Sequence, residues 1–150
     1  VLERDGCFDL SDTPEFAALR ENFGFASGTS THADRLVEIA RTETEDGYLI
    51  DPHTAVAKTI LDRHGRDGRV RVCLSTATPY KFPKDVLEAL GHDTQGKDDF
   101  ACMDELQRLT GIAAPRQLST LRGAPVMHDS ICAKEAMASF VESATARIFR

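Results

Sequence analysis

The run Val70-Arg71-Val72-Cys73-Leu74 does most to limit what this chain can become. Aliphatic side chains alternate with Arg71 and Cys73, and a period of two in β-branched residues predicts a buried strand. The strand stops at Ser75-Thr76-Ala77-Thr78-Pro79, a cluster of hydroxyls on a turn. Lys81-Phe82-Pro83 then opens a helix, because proline suits the first helical position. In open α/β sheets, ligands bind at the carboxyl ends of strands, so small hydroxyl residues there form a candidate binding edge. An ordinary strand-to-helix connection has the same outline, and such connections are common.

Upstream stands Asp51-Pro52-His53-Thr54-Ala55-Val56. Asp51 reads as the N-cap and Pro52 as the first residue of a helix. A helix start offers free N–H groups and a positive end. Asp51 as a plain cap needs no functional role, and His53 reads equally as a residue packed at an edge.

Capping and spacing place the other elements. Thr13-Pro14-Glu15 starts a helix with Phe16, Leu19 and Phe23 on its apolar side, and Gly24 ends it. Ala33, Leu36, Val37 and Ala40 recur at helical spacing over about residues 31–44, with Glu43, Glu45 and Asp46 on a solvated face. Tyr48-Leu49-Ile50 is a brief strand or a buried connector. Val56, Ile60 and Leu61 mark the core side of the helix that begins at Asp51. Val86, Leu87 and Leu90 do so for the helix after Phe82. Asp98-Asp99 cap a helix carrying Phe100, Met103, Leu106 and Leu109, stopped by Gly111. A short extended piece is expected at Val126-Met127. Asp129 or Ser130 caps a last helix lined by Met137, Phe140, Val141, Ala144 and Ile148.

The fold class expected is therefore α/β and helix-rich, with one clear buried strand and about six helices. Residues 1–92 carry the motifs and 93–150 form a helical tail, within one unit. Charge narrows the function. A net charge of −6 and a pI near 5.3 exclude a nucleic-acid binder, which needs a basic face. No apolar run approaches the ~18 residues of a membrane span. Cys7, Cys73, Cys102 and Cys132 form no CxxC and are expected reduced in a cytoplasmic protein. His128 and Cys132 stand four apart, but no second pair completes a metal site. With Val1 in place of Met, a fragment or a processed chain is expected.

The strings Asp51-Pro52-His53-Thr54-Ala55-Val56 and Ser75-Thr76-Ala77-x-Pro79-x-Lys81-Phe82, in that order, resemble the carboxy-terminal third of the threonine synthase family. Thr78 and Tyr80 depart from it, standing where the family usually has His and a small Ala. The resemblance implies a helix-rich carboxy-terminal fragment of a pyridoxal-phosphate enzyme of fold type II. It implies that the family converts O-phospho-L-homoserine and water to L-threonine and phosphate. It also implies that the Thr76 hydroxyl meets the pyridine nitrogen of the cofactor, with Asp51 and His53 beside the site.

The family's Schiff-base lysine and phosphate-binding loop lie earlier in its chain. Lys84-Asp85 and Asn22-Phe23-Gly24 echo them in the wrong context. No catalytic residue, bound cofactor or activity is therefore expected of these 150 residues alone. The expected partners are the preceding part of the polypeptide and, for the isolated piece, copies of itself. Two other readings stay open: a small helical interaction or regulatory module, and a related lyase acting on phosphorylated amino acids.

Overall fold

The structure is a computed structural model that describes residues 6–7, 9–65 and 68–148. Its described residues are built from helices and connecting segments. The helices are α1 (Pro14–Phe23), α2 (His32–Asp46), α3 (Pro52–Arg63), α4 (Pro83–Ala89), α5 (Asp99–Thr110), the single turn α6 (Arg116–Ser119) and α7 (Met137–Ile148). Two 3₁₀ turns, Pro79–Lys81 and Lys134–Ala136, precede α4 and α7. The chain forms two units, Val1–Ser119 and Thr120–Arg150.

Local chemistry sets the helix ends. The Thr13 hydroxyl accepts the Phe16 N–H at 3.3 Å, and Pro14 follows as the first helical residue. Thr31 and Asp34 form a capping box, each side chain accepting the other's backbone N–H at 3.1 and 2.8 Å. The Asp98 carboxylate accepts the Ala101 N–H at 2.7 Å. Gly24, Gly47 and Gly111 close α1, α2 and α5 in the left-handed region, with φ of 67°, 62° and 69°, where a Cβ would be strained. α7 starts later than expected: Asp129 and Ser130 lie in a connecting segment, and Val126 and Met127 belong to no strand.

In the first unit α2 packs on α3 and α4, and α4 packs on α5. Their shared core is Ile39, Ile50, Ala55, Tyr80, Val86, Leu87, Cys102, Met103 and Leu106. Ile50 makes the connector between α2 and α3 a core element. Two helix faces differ from the spacing argument. On α2 the inward side chains are Glu38, Ile39 and Thr42, while Val37 is 66% exposed. On α1 no residue is buried, and Phe16, Leu19 and Phe25 line an open apolar cleft of about 430 Å³. Gly28 lies so close to Ile60 that a Cβ would come within 2.9 Å of its side chain, so a larger residue there would have to displace the end of Ile60.

The expected α/β class is corrected: among the described residues there is no strand. Residues 70–75 run without regular structure, and the side chains of 70–74 alternate in exposure, but the direction is reversed. Val70, Val72 and Leu74 are 93%, 72% and 75% exposed, whereas Arg71 and Cys73 are half-buried. A strand exists only where a neighbour supplies ladder hydrogen bonds. Here side chains hold the segment instead. Arg71 donates to the Leu61 carbonyl at 2.7 Å and to Asp62 at 3.3 Å, fixing it along α3.

That anchor belongs to a network of ion pairs. The Glu38 carboxylate, 8% exposed, accepts from Arg41 at 2.7 Å and from Lys58 at 2.8 Å. Arg41 also reaches Asp62 at 2.7 Å, which joins α2 to α3 and, through Arg71, to the segment. Burial pushes the Glu38 carboxyl up, but hydrogen bonds and charge from Arg41 and Lys58 outweigh it and hold the group below the ordinary glutamate range.

Two expectations follow from this packing. Leu87→Ala or Leu106→Ala opens a void in a fully buried site and should cost about 2–5 kcal/mol in urea melts. Val72→Ser, on an exposed side chain, should stay within about 0.5 kcal/mol. A depressed folded-state pKa gives stability that is present above the unfolded glutamate value of 4.5 and lost as pH falls through the folded value. Glu38→Gln should therefore cost about 1–3 kcal/mol at neutral pH by leaving Lys58 under-paired. Its melting curve should converge with that of the wild type as the pH is lowered below 4.5.

Candidate functional site

The start of α3 and residues 75–82 meet through hydroxyl and carboxylate side chains. Asp51 is the cap: its Oδ1 accepts the His53 N–H at 2.9 Å and the Thr54 N–H at 3.4 Å. The same oxygen lies 3.2 Å from Nδ1 of the His53 ring, and the other oxygen accepts the Thr54 hydroxyl. Asp51 is fully buried, so its carboxylate is spent inside the fold.

Thr54 is the link to the second string. Its hydroxyl oxygen stands 3.1 Å from that of Ser75. One hydroxyl carries one proton, and a carboxylate can only accept. Thr54 gives its proton to Asp51, so Ser75 donates to Thr54. A Cys73 Sγ contact with the Thr54 carbonyl at 4.0 Å runs alongside. Burial pushes the Cys73 thiol up, away from the thiolate form that a nucleophile needs.

The three residues singled out from the sequence have different settings. Thr76 is exposed, one residue past the Thr54–Ser75 bond, and among the described residues no side chain or backbone group takes up its hydroxyl. His53 is 63% exposed, with its ring centroid 4.8 Å from that of Phe82 and the planes tilted by 54°. Asp51 is fully buried and bonds to His53 and Thr54. Thr54, Ser75 and Phe82 complete the arrangement and were not assigned to it from the sequence. The pairing of position 54 with position 75 has no local signature. The Phe82 ring also has the Lys81 ammonium 5.5 Å from its centroid.

The two departures from the expected strings take structural positions. Thr78 precedes the 3₁₀ turn Pro79–Lys81. Tyr80 is 5% exposed, and its hydroxyl donates to the Ile112 carbonyl at 2.5 Å and lies 2.9 Å from the Thr110 hydroxyl. Lys84 is a half-exposed lysine 3.5 Å from Asp99. His128 and Cys132 sit on an irregular segment of the second unit, not on a shared helix. Among the described residues no group of three His, Cys, Asp or Glu is placed to hold a metal ion, and no helix is long and apolar enough to cross a membrane.

Comparison with known proteins gives this arrangement its context. Residues 54–127 match the family model described as "Threonine synthase, C-terminal". The chain is 40% identical over 102 residues to threonine synthase of Corynebacterium glutamicum, covering 67% of this chain and 21% of the relative. It is 40% identical over 91 residues to threonine synthase of Methylobacillus glycogenes, covering 61% of this chain and 19% of the relative. It is also 34% identical over 67 residues to threonine synthase-like 1 of Mus musculus, covering 45% of this chain and 9% of the relative. The matched stretch thus spans about a fifth of the bacterial relatives. Both strings that define the site fall inside or at the edge of the matched family region, and the chain belongs to the threonine synthase family as a carboxy-terminal portion.

Proposed function

We propose that this chain forms one wall of the pyridoxal-phosphate site of a threonine synthase, which turns O-phospho-L-homoserine and water into L-threonine and phosphate. The observation that carries this reading is the Thr76 hydroxyl, exposed and without a partner among the described residues, at the end of a segment that Arg71 and Ser75 tie to α3. A hydroxyl held that way fits a ring nitrogen presented from outside the chain. When bound, pyridoxal phosphate supplies an electron sink conjugated to the substrate. Thr76 would donate a hydrogen bond to the pyridine nitrogen without surrendering its proton, as a carboxylic acid would. Asp51 would act through Thr54 and Ser75, holding the loop that carries Thr76. His53 would stand at the rim.

Under this reading the Schiff-base lysine and the phosphate cradle come from another part of the polypeptide, and the chain alone does not turn over substrate. The complete enzyme works in the cytoplasm.

The test is Thr76→Val in a complete enzyme carrying this region. The shape is kept and one hydrogen bond is lost. Cofactor affinity should fall by about 1 kcal/mol, roughly fivefold, measured by titration of the apoenzyme. Thr76→Asp should slow phosphate release, because a carboxylate would favour a protonated ring. Normal affinity and turnover in both variants would remove Thr76 from the site.

The exposed row Val70, Val72 and Leu74 supports a second expectation, that the isolated chain self-associates. Sedimentation should show a concentration-dependent increase in mass that Val72→Lys weakens. A strict monomer at all concentrations would count against it.

A further inference from the structure

We propose that His53 is a proton-transfer residue of this site and that Asp51 positions it, holding Nδ1–H and leaving Nε2 outward as the proton acceptor. The role rests on the reading of the site given above; the tautomer rests on geometry alone.

The geometry runs through one oxygen. Asp51 Oδ1 accepts two backbone N–H groups, from His53 and Thr54. It therefore is an acceptor, and a ring nitrogen 3.2 Å away meets it by carrying a proton. In the neutral ring the lone pair then sits on Nε2. A buried carboxylate behind an imidazole is the arrangement that fixes one tautomer and stabilises the imidazolium once it forms. Phe82 packs against the ring at 4.8 Å, which limits its rotation, while the side chain as a whole stays 63% exposed. Among the described residues no group contacts Nε2, so that edge can exchange a proton.

Other groups frame it. Thr54, the next residue, bonds to Ser75, which precedes Thr76, so His53 and Thr76 flank one hydrogen bond. Among the described residues, the charged groups that contact His53 or Phe82 are Asp51, on the same helix end, and Lys81, whose ammonium shares the Phe82 ring. The proposed ligand is the water that the reaction adds to the substrate. Its O–H bond breaks as the N–H bond at Nε2 forms, and its oxygen bonds to the substrate carbon that carries the hydroxyl in L-threonine. The imidazolium, paired with Asp51, then returns that proton to solvent.

The experiment has two arms. On the 150-residue chain, long-range ¹⁵N–¹H spectra report each histidine tautomer. His53 should show Nδ1–H, whereas exposed His128 should show the Nε2–H form usual in water. Asp51→Ser keeps a capping oxygen and removes the carboxylate, so His53 should revert to Nε2–H. An Nε2–H tautomer in the wild type overturns the proposal, and so does an unchanged one in Asp51→Ser. If circular dichroism shows that this variant loses helix, the wild-type spectrum decides.

In the complete enzyme His53→Ala should lower kcat by about a hundredfold. Cofactor affinity should be unchanged, and added imidazole should restore most of the rate. Unchanged kcat, or a loss that imidazole does not rescue, overturns the proton-transfer role. Cofactor affinity of Thr76→Val is read separately, so failure of the cofactor assignment and failure of the His53 role give different results.

Discussion

The arrangement of the site depends on a buried carboxylate that has no lysine or arginine as a partner among the described residues. Asp51 is fully enclosed, and its ion-pair contact is with His53. Burying a charge is costly unless hydrogen bonds replace the lost water. Here the replacement is local: two backbone N–H groups at the start of α3, the Thr54 hydroxyl and the His53 ring. Each donor is thereby fixed in direction. The helix begins at Pro52 because the cap is there. Thr54 must turn its proton inward, which makes it an acceptor for Ser75, and the loop carrying Thr76 is tied down as a result.

The same economy explains how an extended segment persists without a sheet. Backbone pairing is replaced by two side-chain anchors, Arg71 on the Leu61 carbonyl and Asp62 at one end and Ser75 on Thr54 at the other. Asp62 in turn is held by Arg41, and Arg41 by Glu38. A chain of polar contacts thus runs from the buried face of α2 to the segment that precedes Thr76. Removing a partner that is nearly buried, such as Glu38, disturbs more than removing one at the exposed end, because desolvated charges lose more when left alone.

What was legible in the sequence is what depends on near neighbours. Thr13, Thr31, Asp51 and Asp98 could be read as caps, and Gly24, Gly47 and Gly111 as stops, because each acts within one helical turn. The site strings were legible as strings, with Asp51, His53 and Thr76 in them. Orientation was not. The spacing put Val37 inward and passed over Ile39, yet Ile39 is fully buried and Val37 exposed. The side of α2 that faces inward carries Ile39 into the core and Glu38 to Lys58 on α3, a contact across twenty residues that no local pattern records. Val70 to Leu74 failed for the same reason: alternation tells which side chains share a face, and the neighbour decides which face is covered.

Tyr80 shows how far a local change can be absorbed before it reaches the site. A small residue in this place would leave a gap under the loop after α5. The tyrosine ring fills it, joining Val86, Leu87 and Leu106 in the core, and its hydroxyl is satisfied by Ile112 and Thr110. A buried phenol with its hydroxyl bonded inside the fold has no donor left for a bound molecule. The turn that begins at Pro79 is thereby anchored from below, on the side away from solvent, and Phe82 is held three residues on, where it meets His53. Tyr80 therefore stiffens the support beneath Phe82, and Thr76, exposed on the other side of Pro79 in the chain, has no hydroxyl partner among the described residues.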